Sequence, residues 1–254
     1  MIFKFKSWWR KRIVRRKSID DALWQHCIQR LPLLRQFNNE EITRLRELAT
    51  LFLYYKSIEA TADLELTHEM RVVIAAQACI PILNLGIDWY AGWVSVIVYP
   101  QGFTPTRTQT DESGVVHEQL MSLGGEAWHR GPVILSWSDT SYAGEIDGHN
   151  LVIHEFAHKL DMRNGAANGF PPLHAHMSFE KWTKAFSQAY EDLLFKVEHN
   201  LPTPFNRYGA SAPAEFFAVL SEVFFELPQM LETQYPAVFC QLCEFYRQHP
   251  RLIA

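Results

Sequence analysis

The sequence predicts an α+β protein that is mostly helical, with a small sheet upstream of a helix that carries the residues HEFAH. Three observations support this class. Short β-branched segments bounded by turn residues lie in the first half of the chain, amphipathic helical segments surround them and dominate the second half, and no linker, repeat or low-complexity tract divides the chain. With 254 residues, 48% of them hydrophobic, one substantial core can form. We therefore expect a basic arm at residues 1–17 and a single domain at residues 18–254.

Local signals define each element in turn. The helix over residues 39–56 starts at an Asn-Asn pair that can cap it and has two glutamates in its first turn. The strand over residues 94–99 reads VSVIVY, a β-branched run between a glycine and a proline. Further helices are predicted over residues 18–29, 67–83, 179–199, 213–226 and 229–248, and further strands over residues 58–64, 115–121 and 132–137.

Composition and targeting signals indicate a cytoplasmic protein. The longest apolar run, residues 72–85, is interrupted by Gln77 and Pro81, and it falls short of the roughly 20 residues of a membrane-spanning helix. No secretory signal is evident at the N-terminus. The four cysteines are sparse, which favours reduced thiols, and the CxxC of Cys240 and Cys243 is best interpreted as one face of a C-terminal helix.

The N-terminal arm differs in charge from the rest of the chain. Residues 1–17 contain eight Lys or Arg and no acid, so the net charge of −4 leaves residues 18–254 at −12. With four aromatic residues interleaved, the arm could contact anionic lipid or nucleic acid. The simpler interpretation is a frayed, solvated terminus or a lid over the acidic body. We expect no direct nucleic-acid binding, and membrane contact is the lesser alternative.

The HEFAH segment contains the candidate metal ligands and the candidate general base. Residues four apart share one face of a helix, so His154 and His158 can each direct an imidazole nitrogen at one metal ion. Glu155 follows the first histidine, where it is the candidate general base that takes a proton from water. A catalytic zinc site needs three protein ligands and one open position, so a third ligand must come from another element.

Two helical glutamates compete for the third position. Glu215 and Glu222 share a face of the helix predicted over residues 213–226, but they lie roughly 10 Å apart along its axis, so only one can be a ligand. Spacing alone does not choose between them. His174 and His176 are a weaker alternative in an irregular, proline-containing segment. Nucleophilic serine or cysteine chemistry and phosphate-binding glycine loops have no motif here.

These motifs resemble a known family. HEFAHKLD, the Tyr208-Gly209 pair and PAEFFAVLSEVFF at residues 213–225 are similar to the glutamate-zincin pattern of the anthrax lethal factor catalytic domain, and more fully to the Mlc titration factor A family of bacterial metallopeptidases. The resemblance also takes in LNLGIDW at residues 83–89, and it samples the chain from about residue 80 to 225. The basic arm is not part of that pattern.

The resemblance implies a zincin-like fold and a role for each residue of the site. His154, His158 and Glu215 would bind one zinc ion per chain, Glu155 would activate water, and Tyr208 would stabilise the oxyanion. Glu222 is then left to orient a ligand or to pack. Asp161 would orient the imidazole of His158, or else simply end the helix.

Two functions follow, and they are compatible. The first is a zinc-dependent, aminopeptidase-like peptidase, for which residues 132–137 are the nominated sheet edge where an extended peptide substrate would add a strand. The second, implied by the resemblance alone, is binding of an Mlc-like glucose-responsive repressor. The alternatives are a non-catalytic regulatory binding protein that keeps zinc for structure, and a helical protein with an accidental HExxH.

Overall fold

The computed structural model describes residues 2–61, 64–101, 106–110, 116–120, 125–127 and 131–251, with side chains in residues 5–61, 64–101 and 131–251. Ten α-helices lie in these ranges, and short 3-10 turns connect several of them. They are α1 Ile2–Lys17, α2 Asp21–Arg30, α3 Asn39–Tyr55, α4 His68–Cys79, α5 Trp137–Tyr142, α6 Leu151–Asp161, α7 Phe179–Glu198, α8 Pro213–Glu226, α9 Pro228–Gln234 and α10 Pro236–Tyr246.

The small sheet precedes α6 in the chain, as predicted. It contains β1 (Ser57–Ala60), β2 (Ser95–Tyr99), β6 (Val133–Ser136) and β5 (Gly125–Ala127) in that spatial order. β1, β2 and β6 are parallel, whereas β5 runs antiparallel to β6. All four residues of β6 are buried, which fits a central strand covered on both faces.

A second, separate sheet pairs β3 with β4 in an antiparallel hairpin. β3 covers Thr106–Thr110 and β4 covers Val116–Leu120. The sequence predicted β4 but neither β3 nor the short edge strand β5. Both missed strands are polar or short, so they lack the β-branched alternation on which the prediction relied.

Helix ends follow local chemistry in most places. Asn38 caps α3 by accepting the amide hydrogens of Glu40 and Glu41, and the Glu41 side chain accepts in return the Asn38 N–H, which forms a capping box. The single helix predicted over residues 229–248 is wrong, because the chain breaks into α9 and α10 at Tyr235. Pro236 forces that break, since the residue before a proline avoids the helical region and Tyr235 has φ −133° and ψ 68°.

The basic arm is helical and packed, so a frayed terminus is the wrong interpretation. α1 packs against α3 and buries Ile13. The Arg10 guanidinium donates to both carboxylate oxygens of Asp88, at 2.9 and 2.6 Å. Among the described residues, no helix has the length and apolar character needed to cross a membrane.

Helix α6 lies in the centre of the core. Its apolar face contributes Val152, Ile153, Phe156, Ala157 and Leu160, all fully buried. The Phe156 ring lies 5.5 Å from Phe52 of α3 and 5.2 Å from Tyr90, centroid to centroid. Truncating such a buried aromatic side chain typically costs about 3–5 kcal/mol of unfolding free energy. The opposite, polar face of α6 is thereby held rigidly toward α8.

Candidate metal centre

Two imidazoles meet on the polar face of α6. Asn150 caps this helix by accepting the N–H of Ile153, and helical spacing places His154 and His158 one turn apart. Their ring centroids are 4.9 Å apart, and their Nε2 atoms lie 3.2 Å from each other. Both side chains are buried. The histidine pair that the motif predicted therefore converges on one point.

Glu215 completes the cluster from the first turn of α8. Its Oε2 atom lies 3.0 Å from His154 Nε2 and 3.2 Å from His158 Nε2, because α8 packs directly against α6. Burial alone would raise the pKa of Glu215, but hydrogen bonds from the two imidazoles outweigh it and hold that pKa well below its ordinary value. Within the described residues, these three side chains are the group whose ligand atoms lie close enough to hold one metal ion.

The spacing of the three atoms fits a metal ion. A tetrahedral ion with ligand bonds of about 2.0–2.1 Å places its ligand atoms about 3.3 Å apart, and the three distances here are 3.0, 3.2 and 3.2 Å. Two imidazole nitrogens and one carboxylate oxygen form one of the known donor sets of catalytic zinc. If both imidazoles are neutral, their Nε2 lone pairs point at each other and at the Glu215 carboxylate. A metal cation or a proton in this space offsets the repulsion between the three atoms.

Glu222 takes the role that the sequence left undecided. Its Oε1 lies 2.7 Å from His154 Nδ1, and its Oε2 accepts the backbone N–H of Asn150 at 2.6 Å. A carboxylate at Nδ1 holds the proton on that nitrogen and leaves Nε2 free to bind a metal. Glu222 therefore orients His154 and does not join the three-atom cluster.

Residues around Asn150 extend this support. The Asn150 side-chain amide donates to Gln77 at 3.0 Å and to Glu226 Oε1 at 2.9 Å, while Glu226 Oε2 accepts the N–H of Gly148 at 3.0 Å. Burial raises the pKa of Glu226 to about 8, although these two donors act in the opposite direction. Sequence reasoning missed Gln77 and Glu226. The sequence offered only a weak signal for them. A polar residue within an apolar helical pattern indicates a buried polar contact, but it does not indicate which residue it contacts.

Glu155 is buried close to the two histidines, and one of its carboxylate oxygens, Oε2, has no hydrogen-bond partner among the described residues. Burial raises the pKa of this carboxyl to about 7, against the lowering effect of the neighbouring histidines. Burying a carboxylate oxygen without a hydrogen-bond partner costs folding free energy, and groups of this kind are found mainly at functional sites. This placement agrees with a role as proton acceptor.

Tyr208 borders the same space from a 3-10 turn, Arg207–Ala210, which Asn206 caps. The tyrosine ring centroid is 6.1 Å from that of His154, and the residue is 42% exposed. Burial of the remainder, together with the nearby charges of Glu215 and Glu155, raises the pKa of the phenol to about 12. The hydroxyl therefore keeps its proton at neutral pH and can donate a hydrogen bond.

Asp161 does not orient His158, contrary to one alternative from the sequence. Its Oδ2 accepts the backbone N–H groups of Asn168 and Gly169 at 2.8 and 2.7 Å, whereas its Oδ1 and the Nδ1 of His158 have no partner among the described residues. Gly169 has φ +76°, and a Cβ there would lie 2.4 Å from the carbonyl oxygen of Pro213. Asp161 thus ties a loop against the first turn of α8, which carries Glu215.

The alternative histidine ligands lie elsewhere. His174 Nε2 is 2.8 Å from the carbonyl oxygen of Phe245, and its ring contacts Trp89 at 5.3 Å. His176 stacks on His174. Neither belongs to the three-residue cluster.

The sheet edge nominated for substrate is also wrong. β6, within residues 132–137, pairs with β2 on one side and with β5 on the other, so its backbone groups are already used. Within the described sheet, β5 is the edge strand on that side, and it packs beside α6.

A histidine pair on one buried helix, met by a glutamate from a second helix beside a small parallel sheet, is the arrangement of an HExxH metallopeptidase. Comparison with known proteins agrees. The family described as glucose-regulated metallo-peptidase M90 matches residues 5–247, and the chain belongs to this family. The match begins inside α1, so most of the basic arm lies within the family pattern, contrary to the expectation from the motifs.

Several relatives cover nearly the whole chain. A Synechocystis protein is 36% identical over 98% of this chain and 92% of its own length. The Mlc titration factor A of Salmonella arizonae is 39% identical over 91% of this chain and 92% of its own length. The Mlc titration factor A of Salmonella typhi is 40% identical, covering 91% of this chain and 88% of its own.

Proposed function

We propose that the protein is a zinc-dependent peptidase that acts by a glutamate-zincin mechanism. The observation that carries the proposal is the convergence of His154, His158 and Glu215 within 3.0–3.2 Å, directly beside the buried carboxylate of Glu155. Membership of a metallopeptidase family supports it. His154, His158 and Glu215 would hold one zinc ion per chain.

Zinc at this position would polarise the scissile carbonyl and lower the pKa of water. The chain's own groups would do the rest. Glu155 would accept the proton of the attacking water, since its Oε2 lies unpartnered near the cluster. Tyr208 would donate a hydrogen bond from its hydroxyl to the oxyanion that develops on the substrate carbonyl, because its phenol remains protonated at neutral pH.

The substrate in this proposal is an extended peptide, and β5 is the edge at which it would add a strand. The location of β5 beside α6 supports this assignment. The preference for short peptides cleaved from their N-terminal end rests on the family resemblance alone. A panel that compares free and N-acetylated aminoacyl chromogenic substrates tests it directly, because an aminopeptidase hydrolyses only the free-amine series.

The central test combines metal analysis with activity. We expect about one zinc per chain by mass spectrometry of the purified protein, hydrolysis of at least one peptide substrate, loss of hydrolysis after chelation and its return with zinc. Stoichiometric zinc without hydrolysis of any peptide offered would favour a binding protein that keeps the metal for structure.

A second function is supported by the relatives named Mlc titration factor A. We propose that the chain also binds an Mlc-like repressor through a surface outside the metal centre. An interface of ordinary size buries about 800 Å² on each partner, so Glu155→Gln should leave repressor affinity nearly unchanged while it removes hydrolysis. Calorimetry with wild type and variant measures this. Absence of binding by the wild type would reject the second function, and binding lost only in the variant would mean that the repressor enters the active site.

A further inference from the structure

Helix α1 is attached to the body by one face. Ile13 is buried against the core, and Arg10 forms a two-pronged ion pair with Asp88 at 2.9 and 2.6 Å. Bidentate pairs of this kind define orientation as well as contributing energy. The rotation of α1 about its axis is therefore set, and the side of the helix that makes none of these contacts is held outward.

The outward face carries an aromatic patch. The patch lies on one side of the helix, because each member is three or four residues from another member. Its residues are Phe5, Trp8, Trp9, Arg12 and Arg16. Phe5, Trp8 and Trp9 are 65%, 54% and 41% exposed. The Phe5 and Trp8 ring centroids are 6.0 Å apart, and those of Trp8 and Trp9 are 6.4 Å apart. Single exposed aromatics are ordinary, but a contiguous exposed patch indicates an interaction surface.

The charge around the patch is strongly positive. Residues 1–17 carry eight Lys or Arg and no acid, whereas residues 18–254 sum to −12. Arg12 lies over the Trp8 ring, 5.6 Å from its centroid. A partner that fits this face must combine negative charge with an apolar layer deep enough for tryptophan rings.

An anionic bilayer surface meets both requirements. Tryptophan and phenylalanine rings partition into the boundary between headgroups and acyl chains, while lysine and arginine side chains reach lipid phosphates. A second copy of α1 would bring like charges together, which opposes self-association through this face. A nucleic-acid duplex offers phosphates but no apolar layer for three rings.

We propose that the outward face of α1 is a docking surface for anionic lipid bilayers, with Phe5, Trp8 and Trp9 entering the interface and the basic side chains binding lipid phosphates. The acidic body then faces away from the membrane, because the same negative surface repels it. The attachment is interfacial and reversible, and it is independent of the metal centre.

Vesicle co-sedimentation of the full-length protein tests this proposal. We expect binding to phosphatidylcholine vesicles that contain roughly a third phosphatidylglycerol, weak binding to pure phosphatidylcholine, and a decline with added salt. The double variant Trp8→Ser, Trp9→Ser should bind at least about tenfold more weakly. The matched control is Phe179→Ser with Phe195→Ser, which removes two exposed aromatics from α7 and should leave binding unchanged.

Two further measurements address insertion and folding. Brominated acyl chains should quench part of the tryptophan fluorescence in wild type, and that part should disappear in the Trp8, Trp9 double variant. Circular dichroism melts establish that the variants are folded. If the double variant does not fold, the charge-reversal variant Arg12→Glu, Arg16→Glu replaces it, and we expect the same loss of vesicle binding.

Four outcomes would overturn the proposal. These are equal binding to neutral and anionic vesicles, no vesicle binding at low salt, equal loss in the α7 control, and tighter binding to an oligonucleotide than to vesicles at the same salt. Light scattering adds a fifth, namely a wild-type dimer that the aromatic variant converts to monomer, because the face would then serve self-association.

Discussion

Glu222 Oε1 lies 2.7 Å from the Nδ1 atom of His154, on the opposite side of the imidazole from the Nε2 atom that meets Glu215. The same carboxylate uses its other oxygen to hold the backbone of Asn150, the residue that caps α6. One side chain of α8 thus contacts both the start of the HExxH helix and the ring of its first histidine, while another, Glu215, reaches the Nε2 atoms of His154 and His158.

Glu222→Gln should lower metal affinity by about 10- to 100-fold without abolishing binding, because an amide offers one acceptor where two donors must be satisfied. Competition against a chromophoric chelator measures the affinity. Glu232→Gln, at an exposed position of α9, is the control and should have no effect. Unchanged affinity in Glu222→Gln would show that the contact with His154 does not orient the ligand.

His158→Ala and Glu215→Ala should each lose most of the bound metal, because each removes one of the three proposed ligand atoms. Mass spectrometry after extensive dialysis gives the metal content. The comparison with Glu222→Ala decides the identity of the third ligand. If Glu222→Ala loses the metal while Glu215→Ala retains it, the assignment of Glu215 is wrong.

Glu155→Gln should retain the metal and lose hydrolysis, since the amide keeps the shape of the side chain but cannot accept a proton. Metal content and turnover are measured on the same preparation. Measurable turnover at more than a small fraction of the wild-type rate would assign proton transfer to another group.

Tyr208→Phe should reduce turnover by about 10²- to 10³-fold, because loss of one oxyanion donor typically has this effect. The Michaelis constant should change much less, since the hydrogen bond strengthens only as charge develops on the substrate. Tyr142→Phe, an exposed tyrosine of α5, serves as the matched control. Near-normal turnover in Tyr208→Phe would remove this residue from the mechanism.

Glu226 should make stability depend on pH. Burial raises its folded-state pKa from 4.5 to about 8, so the folded state holds a proton that the unfolded state releases between these values. Its stabilising contribution is therefore fully present below about pH 4.5 and is lost as the pH rises through about 8. The stability difference between wild type and Glu226→Gln should shift against wild type by a few kcal/mol from pH 5 to 8.5. If the difference in unfolding free energy between wild type and Glu226→Gln, measured with urea, stays constant from pH 5 to 8.5, the prediction is contradicted.

Local patterns were sufficient for much of the fold. Capping residues and apolar periodicity predicted α3, α7 and α8 closely, because these signals act within one or two turns. The division of the last helix at Tyr235 was missed although Pro236 was visible, since the apolar pattern continues across the break. The edge position of β5 was not predictable, because strand neighbours are chosen by contacts far apart in the chain.

The HExxH spacing by itself determined the histidine pair and the position of Glu155, because residues one helical turn apart must share a face wherever the helix lies. Spacing left Glu215 and Glu222 as alternatives, the family resemblance favoured Glu215, and only the tertiary structure shows which of the two carboxylates lies beside the Nε2 atoms. Both lie on one face of α8, and the way that α8 crosses α6 brings Glu215 to the Nε2 atoms and Glu222 to Nδ1. Packing between helices likewise decided that α1 is anchored by Ile13 and Arg10, which turns its aromatic side chains toward solvent.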